Sequence, residues 1–240
     1  MPTKIAPQIL DITVRNIKDL GNETKHFELF YDSGKTMDFI PGQFVSILYP
    51  CEGKVIRRAY SIASPPRMKD HLDLCLKLVP TGKVTPWFWT FKGGERFQVH
   101  GPLGKFVLPD EISFDIVFVA TGTGIAPFRS MIPTILTGGL KRNVWLLFGV
   151  RYDNMIPYND EWLALAKKYP NFTYIPTISR PRPEWKGETE YVQTKIPKFF
   201  SNPEGKRVYI CGLNEMIQAV QDACFAQGYQ KEQIYFERYD

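Results

Sequence analysis

The sequence predicts two unlike halves: an all-β unit over residues 1–110 and an α/β unit over residues 111–240. Three observations carry this. The first half reads as short, closely spaced strands, the first of which alternates apolar and polar residues, separated by glycine- and proline-rich turns. From about residue 111 the rhythm changes, and fully apolar strands alternate with helical segments. At the change, "IVFVATGTGIAPFRSMIPTI", residues 116–135, reads as a buried strand, a Gly-Thr loop and a helix.

In the first half, "ILDITVRNI", "KHFELFY", "QFVSILYP", "RRAYSIAS", "HLDLCLKLV" and "ERFQVHG" give six predicted strands. Turn signals separate them at Asp32-Ser33-Gly34, Pro41-Gly42, Pro65-Pro66, Pro80-Thr81-Gly82 and Gly93-Gly94. Six such strands suggest an antiparallel barrel or a sandwich. A short helix is predicted at "TPWFWTF", with Thr85 as its cap and Pro86 at the first helical position. The boundary falls at "LPDEIS", residues 108–113. Beyond it, "FDIVFVA", "NVWLLFGV", "NFTYIPTIS", "RVYICG" and "QIYFERY" give five predicted strands. Helices are predicted over 125–137, over "NDEWLALAKKY" capped by Asn159, and over "NEMIQAVQDACFAQG" from an Asn214 cap to a Gly228 stop. Strands alternating with helices imply a doubly wound, five-stranded parallel sheet.

Composition narrows the function. A chain of 240 residues with 44% hydrophobic content builds an ample core without a metal or disulfide staple. Cysteines 51, 75, 211 and 224 form no C-x-x-C pair, and His26, His71 and His100 are scattered, so no metal or iron–sulfur site is expected. No signal-peptide run and no segment of membrane-spanning length stand out, so a cytoplasmic, monomeric protein of a reducing compartment is expected. The net charge is +5 at a pI near 8.9. This reads either as an ordinary solvated surface or as steering toward an acidic partner. The basic residues form no dense run and no recognition motif, which argues against nucleic acid.

The Gly-Thr loop follows the first strand of the parallel sheet and opens a helix. Glycine lets a backbone approach a phosphate, and the helix terminus favours the anion. Thr121 and Thr123 add hydroxyls beside Gly122 and Gly124. The pattern is neither G-x-G-x-x-G, because Pro127 stands at the third glycine position, nor a P-loop. Alone it reads as a nucleotide cradle or as a plain strand–helix turn.

Three further stretches join it: "RAYSIAS" (58–64), "GKVTPWF" (82–88) and "YICGLNEMI" (209–217). In this order and combination the chain resembles the ferredoxin–NADP reductase superfamily over essentially its whole length. The resemblance implies an FAD-binding, six-stranded antiparallel Greek-key barrel followed by an NADP-binding α/β domain. It implies that Arg58 neutralises the FAD diphosphate, that Tyr60 packs against the flavin beside Ala59, and that Ser61 hydrogen-bonds near flavin N5. It places Cys75 and Lys77 on the next strand beside the flavin, and Gly82, Val84 and Thr85 at a second diphosphate site. On the coenzyme side it assigns Thr121, Gly122, Thr123 and Gly124 to the NADP diphosphate, and Cys211 and Gly212 to the nicotinamide.

"ISRPRPEWKGETEYVQTKI", 178–196, is similar to the family's 2′-phosphate loop. Ser179 and Arg180 would hold the 2′-phosphate, and Tyr191 would cover the adenine near Gln193. Plant-type members carry a lysine where this chain has Thr189, and Arg182 or Lys186 is the candidate replacement. The ending "YFERYD" is similar to the family's acid-x-aromatic terminus. It would put Tyr239 over the flavin and Glu237 near the site, with Asp240 as an extension. Ser61, Cys211 and Glu237 are thus the catalytic candidates, Cys211 as a packing thiol and not as a nucleophile.

The resemblance implies a reductase that passes electrons between NADPH and a separate, acidic carrier such as ferredoxin or flavodoxin. The C-x4-C-x2-C of a fused iron–sulfur domain is absent from this sequence, as is the C-terminal cysteine cluster of dihydroorotate dehydrogenase electron-transfer subunits. The alternatives are an NADH-dependent reductase serving an oxygenase or another acceptor, and a flavin subunit that works only inside a larger redox complex.

Overall fold

The computed structural model describes residues 5–32 and 34–239. Ser33, in the predicted Asp32-Ser33-Gly34 turn, and the terminal Asp240 lie outside the described residues. The chain divides into two compact units, Met1–Asp110 with Ala126–Thr134, and Glu111–Ile125 with Ile135–Asp240.

The first unit contains β1 (Gln8–Gly21), β2 (Thr24–Tyr31), β3 (Phe44–Cys51), β4 (Lys54–Ser61) and β5 (His71–Lys77), then α1 (Val84–Trp89) and β6 (Arg96–Leu103). The sheet order is β4-β3-β6-β1-β2-β5, and every pairing is antiparallel. A bridge between Ile62 and Leu74 joins the two sheet edges, which makes the sheet a barrel and excludes the open sandwich. The return of β6 to lie between β3 and β1 is the Greek-key crossing. Period-2 alternation builds the core: Leu10, Ile12 and Val14, then Phe27 and Leu29, Val45 and Ile47, and Leu72, Leu74 and Leu76 all point inward. Each buried side chain of this size contributes roughly 1.5–3 kcal/mol.

Helix α1 begins two residues earlier than predicted, with Lys83 at the cap position without a side-chain cap bond, so Pro86 is the third helical residue and not the first. Thr85 therefore does not cap. Its hydroxyl accepts from the Val79 N–H at 2.9 Å and donates to the Val79 carbonyl at 3.3 Å, tying the β5–α1 loop to the helix.

The second unit adds β7 (Asp115–Thr121), a 3₁₀ turn (Gly122–Ile125), α2 (Ala126–Thr137), β8 (Val144–Val150), α3 (Asn159–Lys168), β9 (Phe172–Ile178) and β10 (Glu188–Thr189). It continues with α4 (Lys195–Phe199), β11 (Lys206–Gly212), α5 (Asn214–Ala226) and β12 (Ile234–Arg238). The order β10-β9-β8-β7-β11-β12 is parallel throughout, so the sheet has six strands and not the expected five. The additional β10 has only two residues and no apolar run. Its pairing with Thr177 and Ile178 holds it, helped by the Thr177 hydroxyl, which lies 2.9 Å from the Thr189 carbonyl and 3.0 Å from that of Glu190.

Two further caps differ from expectation. Asn159 is the first helical residue of α3, behind Tyr158 at φ 58°, and its side-chain oxygen accepts from the Tyr174 hydroxyl at 3.2 Å. Leu213, not Asn214, holds the cap position of α5. Gly228, at φ 88°, ends α5 as expected, with its N–H on the Phe225 carbonyl.

The first turns of α2 belong to the barrel unit, packed through Phe128 on Phe106 and tied by an ion pair. Arg129 Nη1 donates to Asp73 Oδ2 at 2.7 Å and to the Ala63 carbonyl at 3.3 Å. Asp73 is 1% exposed, with His71 Nε2 3.4 Å and His26 Nε2 3.8 Å from its other oxygen. β5 is buried from His71 to Leu76, with Leu72, Leu74 and Leu76 in the barrel core and Asp73 covered on the other face by Arg129.

Candidate functional site

In the barrel unit the candidate residues lie on neighbouring elements. On β4, Arg58 stands opposite Ile47, Tyr60 opposite Val45 and Ser61 opposite Phe44. Arg58 and Ala59 are both exposed, while Tyr60 is half-buried against the core and Ser61 is buried. Burial pushes the Tyr60 hydroxyl up to about 12 against the opposing pull of Arg58, so it stays protonated at neutral pH. Ring contacts set α1 against β3 and β4: Tyr49 meets Trp87 at 4.8 Å and Tyr60 meets Phe88 at 6.3 Å. On β5, Cys75 is buried and Lys77 is exposed at the strand end.

Gly82 closes the turn that precedes α1 through its N–H to the Val79 carbonyl at 2.8 Å. Val84 and Thr85 follow in the first turn, which no side chain caps. Lys83, which sequence reasoning passed over, reaches across to Cys51 on β3 at 3.6 Å. The donor set is therefore exposed Arg58, Lys77 and Lys83 with uncapped backbone N–H groups. That chemistry suits a diphosphate, and half-buried Tyr60 offers an aromatic face. These residues fit FAD.

In the second unit the candidates gather at the carboxyl ends of the parallel strands, where such sheets bind ligands. Thr121 ends β7, and its hydroxyl is shielded from solvent with no hydrogen-bond partner among the described residues. A buried orphan hydroxyl calls for a ligand or a water. Gly122, at φ 54°, has open space where a side chain would project. Thr123 follows it, half-buried. Gly124 is the opposite case: a Cβ there would lie 2.2 Å from the Cys211 carbonyl oxygen and 2.9 Å from the Gly212 Cα. The loop is thus packed on its inner side against Cys211-Gly212 and open on its outer side. This shape and the orphan hydroxyl fit a dinucleotide.

Cys211 lies in register with Ala120 on β7 and Glu237 on β12. Burial raises its thiol well above the usual range, and the Glu237 carboxylate raises it further. The group is an uncharged packing surface and no nucleophile. The Tyr239 N–H donates to the Gly212 carbonyl at 3.1 Å, so the terminal aromatic is anchored beside Cys211 rather than frayed.

Ser179 and Arg180 extend the β8–β9 ladder past its end, with their N–H groups on the Val150 and Arg151 carbonyls at 3.1 and 2.9 Å. The Glu190 N–H reaches the Ile178 carbonyl at 3.0 Å, so Arg180 and Tyr191 leave the sheet from adjacent strands. Tyr191 is 66% exposed, an open ring face, while Gln193 is half-buried in the 3₁₀ turn that follows. Arg182, one candidate for the family's missing lysine, has its guanidinium paired with Asp153 at 2.7 and 2.9 Å. Sequence reasoning missed a second lock. Lys195, almost fully buried, pairs with Glu188 at 3.2 Å and Glu190 at 3.4 Å. The first pairing joins residues 29 positions apart, and the second joins neighbours in an irregular stretch with no helical or strand spacing to signal it.

Comparison with known proteins agrees with this geometry. Residues 11–108 match the family model described as an oxidoreductase FAD-binding domain. Residues 118–222 match the one described as an oxidoreductase NAD-binding domain. The fold and sites therefore define a flavin- and nicotinamide-dependent oxidoreductase. The chain is 35% identical over 214 residues to ferredoxin–NADP reductase B of Sorangium cellulosum, covering 86% of this chain and 88% of that one. It is 32% identical to the phenol hydroxylase P5 protein of Acinetobacter pittii over 95% of its own length, but spans only 64% of that relative. The crystal structure of the Amycolatopsis cytochrome P450 reductase GcoB superposes with a TM-score of 0.88 at 26% identity, covering 97% of this chain and 70% of that one. This chain belongs to the ferredoxin–NADP reductase superfamily: it is an FAD-dependent reductase that uses a nicotinamide coenzyme and passes electrons to a carrier. Among the described residues, no helix is long and apolar enough to cross a membrane.

Proposed function

We propose that the enzyme oxidises NADPH and delivers the electrons singly to a separate acidic carrier of ferredoxin or flavodoxin type. The observation that carries the coenzyme choice is Arg180, an exposed guanidinium that makes no ion pair among the described residues, at the carboxyl edge beside Tyr191. A planar fork with free donors matches a phosphate, and the 2′-phosphate is what distinguishes NADPH.

Bound FAD supplies the hydride acceptance and the conversion of two-electron to one-electron transfer. The chain's own residues position and screen. Arg58 and Lys77 neutralise the diphosphate, Tyr60 packs against the ring system, and Ser61 hydrogen-bonds its reactive edge. Thr121 to Gly124 hold the coenzyme diphosphate, with the Thr121 hydroxyl gaining its missing partner. Cys211, kept uncharged, packs against the nicotinamide without competing as a base, and Glu237 supplies a fixed carboxylate behind it. Tyr239, anchored to Gly212, is the aromatic that shields the flavin and yields to the nicotinamide. Hydride transfer depends on alignment of this kind more than on acid–base chemistry.

Charge supports the acidic carrier. The barrel unit holds 16 Lys and Arg against 11 Asp and Glu, whereas the second unit holds 14 against 14. The whole net charge thus lies on the flavin-binding unit, where it steers an acidic partner. A second reading, NADH oxidation in service of an oxygenase, draws on Thr189 and on the neighbouring Glu190, since a carboxylate suits an unphosphorylated ribose.

Arg180→Ala separates the two readings. Losing charge-assisted hydrogen bonds of about 1.5–3 kcal/mol lowers kcat/KM for NADPH by about 10- to 100-fold and leaves NADH use nearly unchanged. An equal effect on both coenzymes would overturn the 2′-phosphate assignment.

A further inference from the structure

The loop that carries Arg180 is built unlike a free basic surface loop. It runs Arg180-Pro181-Arg182-Pro183. Each proline fixes its own backbone and restricts the preceding arginine to extended geometry. Its start is tied to the neighbouring strand's exit by the Arg180 N–H on the Arg151 carbonyl at 2.9 Å. Its middle is held by one carboxylate. Asp153, whose side chain is 7% exposed, accepts the Arg182 backbone N–H at 3.4 Å, Nε at 2.9 Å and Nη2 at 2.7 Å. Its far end turns back through the Trp185 N–H on the Arg182 carbonyl at 3.0 Å and the Trp185 indole on the Glu188 carbonyl at 2.8 Å.

We propose that Asp153 is a positioning residue for coenzyme choice, which clamps Arg182 so that the rigid turn presents Arg180 to the 2′-phosphate of NADPH. This rests on the NADPH reading above. The clamp has two consequences. It neutralises Arg182 and leaves Arg180 as the turn's arginine with a guanidinium open to a phosphate. It also orders the backbone that carries Arg180 before the coenzyme arrives, so less freedom is lost on binding. The Arg182 guanidinium holds the Asp153 carboxyl below the usual carboxylate range, so the clamp is intact at neutral pH and opens only as pH falls through that lowered value.

The test uses the flavin-loaded enzyme and its Asp153→Asn, Arg182→Ala and Arg180→Ala variants. Calorimetry with adenosine 2′,5′-bisphosphate and with 5′-AMP reads the phosphate subsite directly. Steady-state kinetics with NADPH and NADH runs alongside. Asp153→Asn is expected to weaken the bisphosphate about tenfold and to change 5′-AMP less than twofold, with the loss in KM for NADPH rather than in kcat. Arg182→Ala, an exposed position, opens the clamp from the other side and is expected to match it, which covers a folding defect in the first variant. Asp153→Glu is expected to restore part of the discrimination. If neither clamp variant moves the ratio of the two affinities while Arg180→Ala does, the clamp has no positioning role and the proposal falls. If Arg180→Ala itself leaves the bisphosphate affinity intact, the NADPH reading falls first.

Discussion

Gly124→Ala is expected to destabilise the second unit by about 3 kcal/mol, the upper end of overpacking costs, and to abolish coenzyme binding while flavin is retained. The added methyl would sit 2.2 Å from the Cys211 carbonyl oxygen and 2.9 Å from the Gly212 Cα. Both obstacles are backbone on a central strand, so no rotamer change relieves them. The loop would have to lift away from β11, carrying Thr121 and the Cys211-Gly212 pair out of alignment. Gly122→Ala is the internal control. Its side chain would meet nothing within 4 Å, and the only cost is a left-handed backbone of about 1 kcal/mol. Thermal melts of the two variants, with and without adenosine 2′,5′-bisphosphate, check this. Equal melting of Gly124→Ala and the parent, with coenzyme binding preserved, would contradict the packing described here.

Arg129→Met is expected to cost about 3 kcal/mol through a different mechanism. Methionine keeps much of the volume but leaves the buried Asp73 carboxylate without its guanidinium, and breaking a buried pair at one end costs about 3–5 kcal/mol. The nearby imidazoles of His71 and His26, at 3.4 and 3.8 Å, place the expectation at the lower end. Asp73→Asn in the Arg129→Met background removes the stranded charge as well. Urea denaturation of both singles and the double should therefore give a double mutant more stable than the sum of the singles. Strict additivity would show that the pair is not coupled in the folded state.

These two sites show where sequence reading succeeds and where it fails. Gly124 was legible because its motif is contiguous: strand, Gly-Thr loop and helix follow one another in the chain. The six barrel strands were legible for a similar reason, since each is a short local run set off by turn residues. Arg129–Asp73 was not legible, because its partners lie 56 positions apart. The same holds for Asp153–Arg182, 29 positions apart. Lys195 is close in sequence to Glu188 and Glu190, but these residues lie on no common helix whose period would have signalled the pairing. β10 escaped notice because two polar residues carry no periodicity, and only the ladder to β9 makes them a strand. The caps failed for a further reason. Thr85 and Asn159 have the right chemistry for capping, but a hydroxyl or amide takes the nearest good partner. The fold offered Val79 to one and Tyr174 to the other.

The central claim is that this chain holds a flavin reduced by NADPH. The most direct measurement is an anaerobic visible spectrum of the purified enzyme, with equal small portions of NADPH or NADH added to separate cuvettes. The expected result is a yellow protein bleached much faster by NADPH. Bleaching by NADH alone would contradict the role given to Arg180 and move the search for the acceptor to oxygenases. A colourless protein that takes up no added FAD would contradict the account at its root.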